Sequence, residues 1–66
     1  MILQVNGRET VLAEAVTVRE FILSRDLDPN LVAVMYNSEI LPREQWETVA
    51  LKDNDELEVL RLVGGG

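Results

Sequence analysis

The sequence predicts an α+β fold, a mixed sheet of four to five strands with one helix packed across one face. Three observations carry this reading. Asn6-Gly7 lies between two short strand-like runs, Thr17-Val18-Arg19-Glu20 has capping-box spacing, and two later stretches, Leu31 to Tyr36 and Glu56 to Val63, have strand patterns. With 66 residues the chain holds one small domain, read as residues 1–63 followed by a flexible glycine tail at 64–66.

Taken in order, Met1 to Val5 alternates as a strand, Asn6-Gly7 is the strongest two-residue hairpin signal, and Arg8 to Leu12 supplies the returning strand. A short helix is expected from Val18 to about Arg25. Its Thr17 hydroxyl would meet an early backbone N–H while Glu20 reaches back, and Val18, Phe21 and Ile22 form the stripe that packs on the sheet. Arg19, Glu20 and Arg25 should face water. Asp26 to Asn30 turns the chain into Leu31 to Tyr36, a nearly continuous apolar run that reads as a central strand covered on much of both faces.

After the turn Asn37-Ser38-Glu39, Ile40-Leu41 forms a short edge strand stopped by Pro42, and Arg43 to Glu47 reads as an irregular or 3₁₀ turn pinned by Trp46. Glu56 to Val63 alternates as the last strand, with Leu57 and Val59 facing opposite to Glu56, Glu58 and Leu60. The order ββαβ, an edge piece and a final β is that of the β-grasp.

Composition excludes several functions. The chain has no cysteine and no histidine, so it offers neither a thiolate nor the usual general base and metal ligand. A domain this small would bury only about 60% of the surface its unfolded chain exposes, which leaves little room for an enzymatic cleft. Twelve acids against six bases give a net charge of −6, which repels nucleic acid and favours partners with basic surfaces. No apolar run approaches the ~20 residues of a membrane helix, and the start lacks the regions of a signal peptide, so a cytoplasmic protein without membrane contact is expected.

Three carboxylate groups suggest sites that their spacing does not support. Asp26, Asp28 and Asn30 mimic the first ligands of a calcium loop, but Leu31 stands where that loop needs glycine and Asn37 where it needs glutamate. Asp53 to Glu56 is an acidic turn before a strand, with no fixed ligand geometry. Glu44 and Glu47 lie three apart without a pocket and read as solvated surface. We assign no catalytic residue, no metal and no cofactor bound by the chain itself.

The sequence finishes Leu60-Arg61-Leu62-Val63-Gly64-Gly65-Gly66. Glycine lacks a Cβ, so these three residues can lie extended in a channel too narrow for side chains, reaching about 10 Å beyond the last strand. From the tail alone two readings stand. It is either a group presented to another protein's active site or an ordinary frayed or engineered end.

Leu41-Pro42-Arg43-Glu44-Gln45-Trp46, followed by an acidic turn, a strand and Gly65-Gly66, resembles the ThiS family of thiamine-biosynthesis sulfur carriers over essentially the whole chain. That family has a ubiquitin-like β-grasp fold. A terminal diglycine is shared with the small subunit of molybdopterin synthase and with other ubiquitin-like carriers and modifiers, and Pro42 to Trp46 distinguishes among them. Gly64 departs from members with another small residue there.

The resemblance implies that a ThiF-like adenylyltransferase uses ATP and magnesium to adenylate the Gly66 carboxylate. Sulfur from a persulfide donor, loaded by a cysteine desulfurase, then converts it to a thiocarboxylate, which a ThiG-like thiazole synthase receives. The residues agree with this chemistry. Without cysteine the α-carboxyl is the one plausible attachment point for sulfur, and an ionised carboxyl with a pKa of about 3.3 to 3.7 needs activation. On this reading Gly64 and Gly65 thread the partner's channel, and Leu60, Arg61 and Leu62 are candidates for docking, with the two leucines on the open face of the sheet. The alternative for those leucines is a place in the core or as isolated exposed residues.

Overall fold

The computed structural model describes residues 1–62; Val63 and the tail Gly64, Gly65 and Gly66 lie outside the described residues. Strands β1 (Ile2–Val5) and β2 (Arg8–Val11) form the expected hairpin, paired from Ile2 with Val11 to Val5 with Arg8. Asn6 and Gly7 take φ of 52° and 78°. Two positive values at the centre of a two-residue loop are what a type I′ turn requires, and they match the twist of the flanking strands.

Helix α1 (Val18–Ser24) starts as its sequence dictates. Thr17 Oγ1 accepts from the Glu20 N–H at 3.1 Å, and Glu20 Oε1 accepts from the Thr17 N–H at 2.9 Å. The helix ends in a Schellman arrangement, with the Leu27 N–H donating to Ile22 O and the Asp26 N–H to Leu23 O. Asp26 occupies the left-handed position there (φ 58°), a place usually filled by glycine. Asp28 Oδ1 then accepts from the Asn30 N–H at 2.9 Å and caps the 3₁₀ turn Pro29–Leu31.

Strands β3 (Val32–Tyr36) and β4 (Glu39–Leu41) form a second hairpin around Asn37 and Ser38, both at positive φ. A 3₁₀ turn (Arg43–Gln45) follows, and β5 (Glu56–Arg61) closes a five-stranded sheet in the order β2-β1-β5-β3-β4. The pair β1 and β5 is parallel and the other neighbours are antiparallel. With one helix across one face, this is the expected β-grasp.

Two expectations need correction. The apolar run lies inside the sheet as expected, between β5 and β4, but it begins one residue later because the capped turn at Asp28 takes Leu31, leaving it half exposed. Nor is β3 covered equally on its two faces. Val32 and Val34 are buried beneath the helix, whereas Ala33 and Met35 are only half-buried on a face with no second layer, where they lie opposite Leu60 and Ile40.

The core joins Leu3, Val34 and Leu57 of the sheet to Val18, Phe21 and Ile22 of the helix, with Trp46 and Leu51 sealing one side. The segment Pro42 to Trp46 is a clasp. Trp46 is buried and its Nε1–H donates to Leu41 O at 3.0 Å. Arg43 lies over the indole ring at 5.6 Å, and its guanidinium donates to Pro29 O at 2.8 Å and Val32 O at 3.4 Å. The residues that carry the family resemblance therefore tie the 3₁₀ turns and β3 together.

Candidate functional site

The candidate site is the end of β5, which leads into the glycines. This strand is held on both sides. It pairs with β3 over five positions from Val32 with Arg61 to Tyr36 with Leu57, and with β1 at Gln4 with Glu56 and Val5 with Leu57. Beyond the β1 ladder, Asn6 takes over as the partner, its Oδ1 accepting from the Val59 N–H at 2.8 Å and its Nδ2–H donating to Val59 O at 3.4 Å. The Leu62 N–H donates to Leu31 O at 2.7 Å. Hydrogen bonds thus hold the strand as far as Leu62, the last described residue.

The other end of β5 is anchored by Asp55, only 5% exposed. Its carboxylate accepts from the Tyr36 hydroxyl at 2.6 Å, the Lys52 N–H at 2.7 Å and the Asn37 side-chain amide at 3.3 Å. Burial alone would raise the Asp55 pKa, but these donors and the Lys52 charge outweigh it and hold the carboxyl below its usual value. Burial, the hydrogen bond to Asp55 and that residue's charge push the Tyr36 hydroxyl up to about 12. Sequence reasoning missed this node, reading Lys52 to Asp55 as a polar turn. The nearest signal was an acid directly before an alternating strand, but its partners Asn37 and Tyr36 lie 18 and 19 residues away.

The other suggested acid sites are held by structural contacts. Asp53 Oδ1 accepts from the Ile2 N–H at 2.7 Å, Asp28 caps its turn, and Glu47 pairs with Arg19 at 3.3 Å on the surface. Among the described residues, no group of three or more Asp or Glu side chains is arranged to hold a metal ion.

The structure divides the proposed docking trio. Leu60, 48% exposed, lies on the open face, where cross-strand pairing sets it beside Ala33, and Met35 on that face is opposite Ile40, which is 77% exposed. These four form an apolar corner next to the strand end. Leu62 is equally exposed and does not enter the core. Arg61 pairs with the buried Val32 and so faces the helix side, away from Leu60. Gly64, Gly65 and Gly66, the expected threading and reaction residues, lie outside the described residues.

Comparison with known proteins places these features in context. A family model described as "ThiS family" matches residues 2–66. The chain is 34% identical over 65 residues to the sulfur carrier protein ThiS of Bacillus subtilis, covering 97% of this chain and 98% of that protein. It is 36% identical over 66 residues to a thiazole synthase of Paramagnetospirillum magneticum, where it matches along its full length but spans only 20% of that protein. A crystal structure of a thiamine biosynthesis protein (ThiS) from Geobacter metallireducens superposes with a TM-score of 0.86 at 35% identity, covering 100% of both chains.

Proposed function

The chain belongs to the ThiS family and acts as a sulfur carrier in thiamine biosynthesis, and from that premise we propose that its Gly66 carboxylate carries the sulfur as a thiocarboxylate. The observation that carries this reading is the reach of the family match, which runs through Gly66 and so includes the glycines beyond the anchored β5. The absence of cysteine from the sequence supports it, since no side-chain thiol competes for the role.

The chemistry proceeds on partners. In an adenylyltransferase of the ThiF type, a Gly66 carboxylate oxygen attacks the α-phosphorus of ATP, with magnesium on the phosphates, and pyrophosphate leaves. The acyl-adenylate then loses AMP to the terminal sulfur of a persulfide supplied by a cysteine desulfurase. A second thiol cleaves the resulting acyl disulfide, and the thiocarboxylate remains on Gly66. Thiazole synthase receives that sulfur and returns the carboxylate. The match to one fifth of a thiazole synthase supports this partnership.

In this scheme the chain's own residues present rather than catalyse. Gly64 and Gly65 give the carboxylate passage through a narrow channel, β5 sets the point of departure, and the apolar corner of Ala33, Met35, Ile40 and Leu60 provides a contact surface of modest size. We place the protein in the cytoplasm, with its ATP-dependent partner; among the described residues no helix is long and apolar enough to cross a membrane.

The test is pyrophosphate release by the activating enzyme with wild-type chain and with Gly66→Phe. One pyrophosphate per chain is expected from wild type and almost none from the variant, whose Trp46 fluorescence should report an intact fold. Equal release from both would contradict the proposal.

A further inference from the structure

The net charge of −6 conceals a local reversal. Of six cationic side chains in the sequence, Arg8, Arg25 and Arg61 line one groove of about 410 Å³, together with the polar Asn6 and Thr10, and no carboxylate lines it. The three come from separate elements: the start of β2, the C-cap of α1 and the end of β5. The register explains the convergence. Arg8 pairs with Val5 and Thr10 with Leu3, so both face the helix side of the sheet, and Arg61 faces that side through its pairing with Val32.

Among the described residues, the ion pair formed is Arg19 with Glu47, and Arg8, Arg25 and Arg61 donate no side-chain hydrogen bond to a protein acceptor, whereas Arg43 donates two. Arg25 lies over the Phe21 ring at 5.0 Å, which holds its charge at the groove wall. Phe21, Leu27 and Val59 contribute an apolar floor. Asp26 and Asp28 line the adjoining hollow, which shares Arg61, Leu27 and Val32 with the groove.

We propose that this groove docks an acidic segment of thiazole synthase, one carrying at least two carboxylates and an apolar side chain that seats on the floor. This rests on the carrier reading above and deepens it. Arg61 closes the strand that leads to the glycines and Asn6 holds Val59 beside it, so the groove borders the end of that strand. Planar guanidiniums on three walls suit bidentate carboxylate contacts, and the twelve acids against three bases outside the groove disfavour an acidic partner elsewhere on the chain. Charge then sets the orientation in which the tail arrives.

The experiment measures binding of the full chain to thiazole synthase from the same organism, without ATP or sulfur. Arg8→Glu, Arg25→Glu and Arg61→Glu are compared singly and together, with Lys52→Glu, which changes the charge as each single variant does, as a control outside the groove. The triple variant should bind at least about tenfold more weakly at ~0.05 M salt, with the gap closing as salt rises to ~0.5 M. Lys52→Glu should bind as wild type does, and Trp46 fluorescence confirms that each variant folds.

Equal affinity of triple variant and wild type, or an equal loss in Lys52→Glu, overturns the proposal. So does a defect confined to the KM of the activating enzyme, which would assign the groove to that partner. Saturable binding of inorganic pyrophosphate in the groove at submillimolar concentration would make it a small-anion site instead. Failure of the carrier reading shows separately, as absence of thiocarboxylate on wild-type chain given the activating enzyme and a persulfide.

Discussion

Replacing Asp55 by alanine tests how firmly the strand that leads to the glycines is held. The change removes one carboxylate that accepts from Tyr36 at 2.6 Å, Lys52 at 2.7 Å and Asn37 at 3.3 Å. A hydrogen bond to a charged group contributes about 1.5–3 kcal/mol, but contributions within one network do not add and water enters the vacated space, so the net loss is about 2–4 kcal/mol. A domain of this length has about 3–10 kcal/mol in all. The melting temperature should therefore fall by about 10–30 °C, read from the fluorescence of the single tryptophan or from circular dichroism. Asp55→Asn should lose stability too, since it sets a second amide against the Asn37 amide, whose own Oδ1 is held by the Glu56 N–H.

The pH dependence follows from the same contacts. The folded-state pKa of Asp55 is depressed, so its contribution is fully present above the unfolded value of about 3.9 and is lost as pH falls through the folded value. The gap between wild type and Asp55→Ala should be widest near neutrality and narrow below pH ~4. A gap that stays constant down to pH ~2, or a loss below about 0.5 kcal/mol at neutral pH, would refute this account of the node.

Two further outcomes are expected. The single tyrosine should titrate with a midpoint of about 12 when its phenolate absorbance is followed. Because that folded-state value lies above the unfolded value of about 10, the stability it lends should be present below pH ~10 and decline as pH rises through it; a midpoint near 10 in the folded protein would show that the contact with Asp55 is absent. Trp46→Ala removes the largest buried side chain and its bond to Leu41 O, a loss of about 3–5 kcal/mol. That is comparable to the whole stability of the domain, so the variant should be largely unfolded at 37 °C by circular dichroism.

Much of the fold was legible because its signals are local. Asn6-Gly7 needs nothing beyond two residues that tolerate positive φ, and Thr17 and Glu20 reciprocate across a single turn. Strand alternation correctly turned Leu60 away from Leu57. What could not be read depends on residues distant in sequence. Asp55 and Arg43 look like solvated charges until the fold brings Tyr36, Pro29 and Val32 to them. Leu31 looked like the first residue of a strand until the cap at Asp28 drew it into a turn. The candidate site divides in the same way. Alternation separates Leu60 from Arg61, but only sheet order brings Arg8, Arg25 and Arg61 to one groove.

The central claim, that Gly66 carries sulfur as a thiocarboxylate, is tested most directly by mass spectrometry after incubation with ATP, magnesium, the activating enzyme and a persulfide donor, followed by thiol alkylation. Methionine oxidation adds nearly the same mass as exchanging oxygen for sulfur, but with no cysteine in the chain a thiocarboxylate is the group that alkylates. We predict an alkyl adduct on the C-terminal peptide, localised to Gly66 and dependent on both ATP and persulfide. A C-terminal peptide that remains unalkylated while the same enzyme modifies an established carrier would contradict the claim.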